Sequence, residues 1–319
     1  MTYPHLCRVR PCYKDRPCKD TPERFLGFGT IKTMPLINKH VLMSGTDYFD
    51  DGYAINAHMD DKIPVDRIKA AQEHADIADC LQKAGVMVEK VAAPANCQDG
   101  VYTANWALIH DNNAVMANLP NIREAEEPYA EEVLKSKGYD IIKLPKNIHF
   151  SGQGDALPCG DYLFVGTNYR TSPEAHYFLE KHLGLHVIGL QTVPQIDPSG
   201  NLVINRITGW PDSFFYDLDL ALAVIAAGTI AWCPEAFTPD SREKIRSIAD
   251  LTKIEVSLDE AMKGFACNLV STGESVVMSD HAPKFKKALQ DLGMTVYSPQ
   301  VTELLKGGGF IRCTTLTLA

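Results

Sequence analysis

The stretch DYLFVGTNYRTSPEAHYFLEKHLGLHVIGLQ, residues 161–191, decides the architecture. It opens on DYLFVG, an apolar strand text. Ser172, Pro173 and Glu174 then open a helix: a capping hydroxyl, a proline in the first turn and an acid at the positive end of the helix dipole. Gly184 closes that helix, because glycine takes the left-handed conformation of a helix stop without strain. HVIGLQ, 186–191, returns as a strand.

The same rhythm runs outward in both directions. HVLMS (40–44) leads to an amphipathic helix over 65–85, ending at Gly85, and a strand over 86–91. VYTANWALIH and NAVMANL flank Asp111-Asn112-Asn113, a hairpin signal, and precede a helix over 123–138 and a strand over 139–145. GTIAWCP, SREKIRSIADL and KIEVSL repeat the order, as do ESVVMS, APKFKKALQDLG and MTVYSP. About five cycles of two strands, a helix and a strand fit, roughly 50 residues apart, without a residue-level repeat. The fold class is α/β, as short mixed sheets arranged radially or as one doubly wound sheet. No linker interrupts the pattern, so 38–319 reads as one domain behind an irregular Pro-, Gly- and base-rich segment, 1–37.

The chain has 319 residues and a formal net charge of −9, which argues against nucleic acid as a partner. No apolar run is long enough to span a membrane, and the N-terminus lacks the apolar core of a signal peptide. Nine cysteines without a repeated spacing fit reduced thiols in a cytoplasmic protein. Cys7, Cys12 and Cys18 cluster, but no CxxC pair is present, so neither a metal nor another cofactor is expected. The sequence admits a homo-oligomer and fixes no oligomeric state.

FFYDLDLALAVI, 214–225, reads as a buried strand, yet it carries Asp217 and Asp219 two residues apart, on one face. Buried carboxylates are costly without a partner or a task. A structural pairing with a buried Lys or Arg is the plain explanation; a site is the other. In LLKGGGFIRCTTLTLA, Gly307, Gly308 and Gly309 run toward Cys313, where backbone can approach a ligand closely. A lone cysteine is more often inert packing, the reading given to Cys267. HFSGQGDALPCGD sets Ser151 beside Gly152, Gly154 and Asp155 in a tight polar loop; no dinucleotide helix follows. Asp99 precedes a strand that holds Asn105, Arg170 stands at a helix mouth, and Asn56 lies among aromatics.

In order and spacing, YFDDGYAIN-H-M, DGVYTAN, F-G-GD, G---RT, FY-LD-ALAV, PEAFTP-SR and ELLKGGG--RC-TL over 40–318 resemble the amidinotransferase superfamily, the penteins or guanidino-group modifying enzymes. The nearest resemblance is to dimethylargininases and the arginine dihydrolase and arginine deiminase group. It implies a five-bladed α/β propeller of ββαβ modules, which chooses the radial arrangement. It also implies a small guanidino substrate, arginine or a methylated arginine, and hydrolysis without a cofactor. The chemistry agrees: a guanidinium is a planar cation that carboxylates hold by charge-assisted hydrogen bonds. Asp99, Asp155 and Asp219 are the expected carboxylates, and Arg170 the anchor for a substrate carboxylate. Cys313 is the expected nucleophile on the guanidino carbon. Asn268 is expected against the active-site backbone.

Two positions depart from the family pattern. Where the pattern has the proton-shuttling His, this chain has Asp217; where it has the Glu that orients that His, this chain has Ser151. Three readings follow: Asp217 carries the proton, as buried carboxylic acids can; Asp217 recognises a different amidine; or the site binds a guanidino ligand without turnover. An amidinotransferase is a further alternative. His149 and His281 are the nearest spare histidines in sequence.

Overall fold

The computed structural model describes residues 36–60, 62–119 and 121–319. Cys7, Cys12, Cys18 and the expected irregular segment, up to residue 35, lie outside the described residues.

Among the described residues, five three-stranded sheets follow one another along the chain. The second joins β3 (Ala107–His110), β4 (Asn113–Met116) and β5 (Asp140–Ile142), with α2 (Glu127–Ser136) before β5. The third joins β6 (Ala156–Cys159), β7 (Tyr162–Gly166) and β8 (His186–Leu190), with α4 (Pro173–Leu183) between β7 and β8. The fourth joins β9 (Leu222–Ala226), β10 (Thr229–Trp232) and β11 (Thr252–Glu255) around α5 (Pro239–Ser247). The fifth joins β12 (Val270–Ser271), β13 (Ser275–Val277) and β14 (Thr295–Tyr297) around α7 (Pro283–Asp291). In each, an antiparallel hairpin is followed by a helix and a parallel strand. The first sheet is completed from both ends of the chain. β1 (His40–Met43) pairs in parallel with β2 (Met87–Lys90) across α1 (Arg67–Lys83), and antiparallel with β15 (Leu316–Thr317), placing Val41 opposite Thr317. This is the five-bladed ββαβ propeller, closed by its last strand.

The local signals explain the elements. The Asp66 carboxylate caps α1 through the Ile68 and Lys69 N–H groups. Pro173 opens α4, and Gly184 ends it at φ 69°; the Ser172 hydroxyl, expected as its cap, instead accepts the His149 N–H at 2.9 Å. Trp106, Trp232, Phe150, Phe164 and Phe237 fill the space between sheets and helices and are fully buried. A further helix, α6 (Leu258–Gly264), capped by Ser257, was not legible in the sequence pattern.

Three stretches differ from their expected form. FFYDLDLALAVI is not one strand: Asp217 is extended, Leu218–Leu220 forms a 3₁₀ turn, and β9 starts at Leu222. The Leu218 N–H goes to Asp155 Oδ1 at 2.9 Å, and a side-chain acceptor of this kind draws the backbone out of a ladder. Asn105 lies in a 3₁₀ turn, Thr103–Asn105, ahead of β3. The GQGD loop is a single helical turn, Gly152–Asp155, here named α3.

Candidate active site

The first strand of each blade is preceded, within a few residues, by a buried polar side chain. Asn105 precedes β3, Ser151 and Asp155 precede β6, Asp217 and Asp219 precede β9, Asn268 precedes β12, and Cys313 precedes β15. The radial arrangement brings these five approaches together at one end of the axis.

Cys313 is buried at 2 % exposure. Its thiol donates to Asp219 Oδ2 at 3.3 Å. Asn268 holds it on two sides: its Nδ2 donates to Sγ at 3.1 Å, and its Oδ1 accepts the Cys313 N–H at 3.2 Å. Burial pushes the thiol well above its usual value, and the nearby Asp219 and Asp217 push it further. The free site therefore holds a neutral thiol near pH 7, and only an added positive charge would favour the thiolate. Burial, then Asp217, also pushes the Asp219 carboxyl up, to about 8, with Arg312 acting against them. Asp219 Oδ1 is buried without a hydrogen-bond partner among the described residues.

Asp217 is held by three donors. Asn105 Nδ2 reaches Oδ2 at 2.8 Å, the Ser151 hydroxyl reaches Oδ1 at 3.1 Å, and Arg170 Nη1 reaches Oδ2 at 3.4 Å. The plain alternative of a buried ion pair thus holds for Asp217 with Arg170, whereas Asp219 has no such partner among the described residues. Arg170 stacks on Tyr216, 4.1 Å from the ring centre. Its Nη2 stays buried without a partner among the described residues, which leaves one edge of the fork for a ligand oxygen.

Asp99, Asn56, Asn105, Arg170 and Cys313 line one pocket with Tyr102, Tyr216 and Arg123, around about 200 Å³ of space between atoms. Burial raises the Asp99 carboxyl to about 6, with Arg123 acting against it. Asn56 Nδ2 donates to the Gly307 carbonyl at 3.0 Å and fixes the glycine turn. Gly308 sits at φ +88°, and a Cβ there would lie 2.6 Å from Asn56 Oδ1.

Asp155 stands one layer back. It is spent on the Leu218 N–H and packs where a side chain on Gly166 would collide, 1.8 Å from its Oδ1. It does not line the pocket. Burial, then Asp217, pushes its carboxyl well above the usual range.

Arg123 and Glu126 were not singled out in the sequence. Arg123 donates to Glu126 from Nε and Nη2, both at 2.8 Å, and from Nη1 to Asn105 Oδ1 at 2.7 Å. Trp106 Nε1 also reaches Glu126, at 3.1 Å. The only sequence signal, R-x-x-E ahead of a helix, is the text of a solvated helix face. His149 packs near Trp210 and His281 pairs with Asp280; neither bonds to Cys313, Asp217 or Asp219. His58 packs against Phe214, Tyr216 and Phe265, with Nε2 on the Phe214 carbonyl at 2.9 Å. Burial lowers it to about 4, so it is neutral at pH 7. Among the described residues no group of His, Cys, Asp or Glu is arranged to hold a metal ion, and no helix is long and apolar enough to cross a membrane.

Residues 50–319 match the model of eukaryotic N,N dimethylarginine dimethylhydrolase. The N(G),N(G)-dimethylarginine dimethylaminohydrolase of Mycobacterium tuberculosis is 31% identical over 277 residues, covering 86% of this chain and 84% of the relative. The bifunctional arginine dihydrolase/ornithine cyclodeaminase AgrE of Nostoc sp. is 30% identical over 280 residues; the match covers 86% of this chain but 37% of AgrE. In structure, the N-terminal domain of cyanobacterial ArgZ, an arginine dihydrolase solved with its product, aligns at a TM-score of 0.78 and 26% identity, covering 88% of this chain and 97% of that one. The dimethylarginine dimethylaminohydrolase of Pseudomonas aeruginosa, at 19% identity and a TM-score of 0.68, shares the fold. The chain belongs to the dimethylarginine dimethylhydrolase family, within the pentein superfamily.

Proposed function

We propose that this chain is a cysteine-dependent hydrolase of a guanidino compound, arginine or a methylated arginine, with residues 38–319 as its catalytic domain. The observation that carries the reading is Cys313, held by Asn268 and Asp219 at the wall of a pocket that also presents Asp99 and the open edge of Arg170. The guanidinium pairs with Asp99 in the pocket and lies against the Cys313 thiol, which Asp219 holds from behind, and its charge favours the Cys313 thiolate. Arg170 Nη2 takes a carboxylate oxygen of the ligand. Sulfur attacks the guanidino carbon, the thiol proton passes by way of Asp217 to the leaving nitrogen as its C–N bond breaks, and water later releases the amidino group from sulfur. Asp217 stands at the shuttle position.

One observation favours a second reading, a guanidino-binding protein without turnover. Asp217 is committed to Arg170, Asn105 and Ser151, and no described histidine bonds to the thiol or to the two aspartates. Product analysis by mass spectrometry from arginine, dimethylarginine, agmatine and guanidinoacetate, against Cys313→Ser, separates the two. Ammonia or dimethylamine release lost in Cys313→Ser supports the hydrolase. A ligand-induced rise in Tm without product supports the binding protein.

A further inference from the structure

The blades enclose a second cavity along the axis, behind the pocket. On the measure that gives the pocket about 200 Å³ of space between atoms, this cavity has about 990 Å³ and opens to solvent. The first strands of the blades line it, through Ile109, Leu157, Leu222 and Thr317 among others. Its polar residues include Asp219, Arg312 and Gln153. Arg312 donates to Gln153 Oε1 at 3.0 Å and to Thr317 Oγ1 at 2.8 Å. It makes no ion pair with a carboxylate among the described residues.

The two spaces share no lining residue. Cys313 lines the pocket and Asp219 lines the axial cavity. They meet at the 3.3 Å contact between the thiol and Asp219 Oδ2. The other carboxyl oxygen, Oδ1, is buried without a partner among the described residues. We propose that water for the second half-reaction reaches the covalent intermediate from the axial cavity, by way of Asp219, and not from the substrate side.

This rests on Cys313 being the nucleophile. The pocket is narrow, with about 200 Å³ of space between atoms against about 990 Å³ in the axial cavity. The axial cavity offers room, an acceptor at Asp219 and donors at Arg312, the polar company an enclosed water needs. In the step, the positive charge of the amidinium on sulfur holds the neighbouring Asp219 in its ionised form, and the water oxygen bonds to the amidinium carbon as Asp219 takes one water proton. The C–S bond breaks with its electron pair on Sγ. The remaining hydroxyl proton passes to sulfur as the carbonyl forms, so thiol and neutral urea product result. The proton on Asp219 then leaves through the axial cavity.

The test fills that cavity without touching the pocket. Ala223 and Val224, in β9, line it, and Val224 is only partly buried. With Ala223→Leu, and with Val224→Phe should the first not fold, dimethylarginine and arginine are mixed with enzyme and followed by rapid quench and intact mass. The expected result is a stoichiometric burst of released amine at the wild-type rate. Steady-state turnover falls at least tenfold, and a sulfur-linked adduct accumulates on Cys313. Unchanged turnover in a folded variant, or slower turnover without adduct, overturns the axial route. A wild-type protein that forms neither adduct nor product from either compound overturns the nucleophile reading, and the route with it.

Discussion

Asp219→Asn tests whether the site is built around a carboxyl that the fold keeps protonated. Burial and Asp217 push Asp219 from 3.8 to about 8. The sign follows from linkage. Between those two values the folded protein binds a proton that the unfolded chain releases, so stability is highest in acid and falls as pH rises through the window. At about 1.4 kcal/mol per pH unit, the full gap amounts to roughly 6 kcal/mol. Asparagine is close in shape and cannot ionise, so the variant lacks this slope. Asp99 and Asp155 remain in both proteins, and their contributions cancel to first order. About three of those pH units lie above pH 5, roughly 4 kcal/mol, so at about 2 °C per kcal/mol for a chain of this size wild-type Tm should fall by roughly 8 °C relative to the variant between pH 5 and pH 9. Differential scanning fluorimetry across that range reads it directly. Two Tm curves that stay parallel would refute the reasoning, because Asp219 would then titrate alike in the folded and unfolded chains.

Other expectations are simpler. Arg123→Met should cost about 3–5 kcal/mol by leaving Glu126 buried without its fork, read as a loss of Tm; a loss below 1 kcal/mol would contradict it. Gly308→Ala should cost about 1–3 kcal/mol and loosen the turn before Cys313, because φ is +88° and the new Cβ meets Asn56; urea unfolding shows whether it does. At pH 7, iodoacetamide should label Cys313 at least tenfold more slowly than a free small-molecule thiol, since burial keeps the thiol protonated. A cationic amidine alkylator should react faster, and equal rates for the two reagents would remove the substrate-assisted thiolate.

The blade rhythm was legible because its signals are local. Ser172–Pro173 and Gly184 mark one helix, and Asp111–Asn113 mark one hairpin, whatever surrounds them. The closure of the first blade was not: β15 is two residues long, and its pairing of Thr317 with Val41 joins opposite ends of the chain. In the site, Asn268 and Asp219 both bond to the Cys313 thiol, and Asp99, Asn56 and Arg170 line one pocket with Cys313. Arg123 and Glu126 stayed hidden because a pair three residues apart reads as exposed until Trp106 and Asn105 are known to cover it. The place of Asp155 was hidden for a related reason. Its partner is the Leu218 N–H, and no side-chain pattern announces a backbone group.

Positions 151 and 217, where the resemblance leads one to expect Glu and His, are in direct contact. Asp217 draws its hydrogen bonds from Asn105 in the second blade and from Ser151 and Arg170 in the third, so its environment is set by elements distant in sequence. A glutamate at 151 would face the Asp217 carboxylate across the 3.1 Å gap now bridged by the Ser151 hydroxyl. It would add a buried like charge in place of a donor. A histidine at 217 beside Ser151 would lack the carboxylate that fixes its tautomer, and as a cation it would stand against Arg170. Each family residue is therefore unfavourable alone in this chain and compatible with the other. Ser151→Glu and Asp217→His should each lower Tm, and the double variant should recover part of the loss, with a coupling of about 1–3 kcal/mol in the cycle. Strict additivity would mean that the two positions do not sense one another. The hydrogen bond from Ser151 would then carry no weight in what position 217 tolerates.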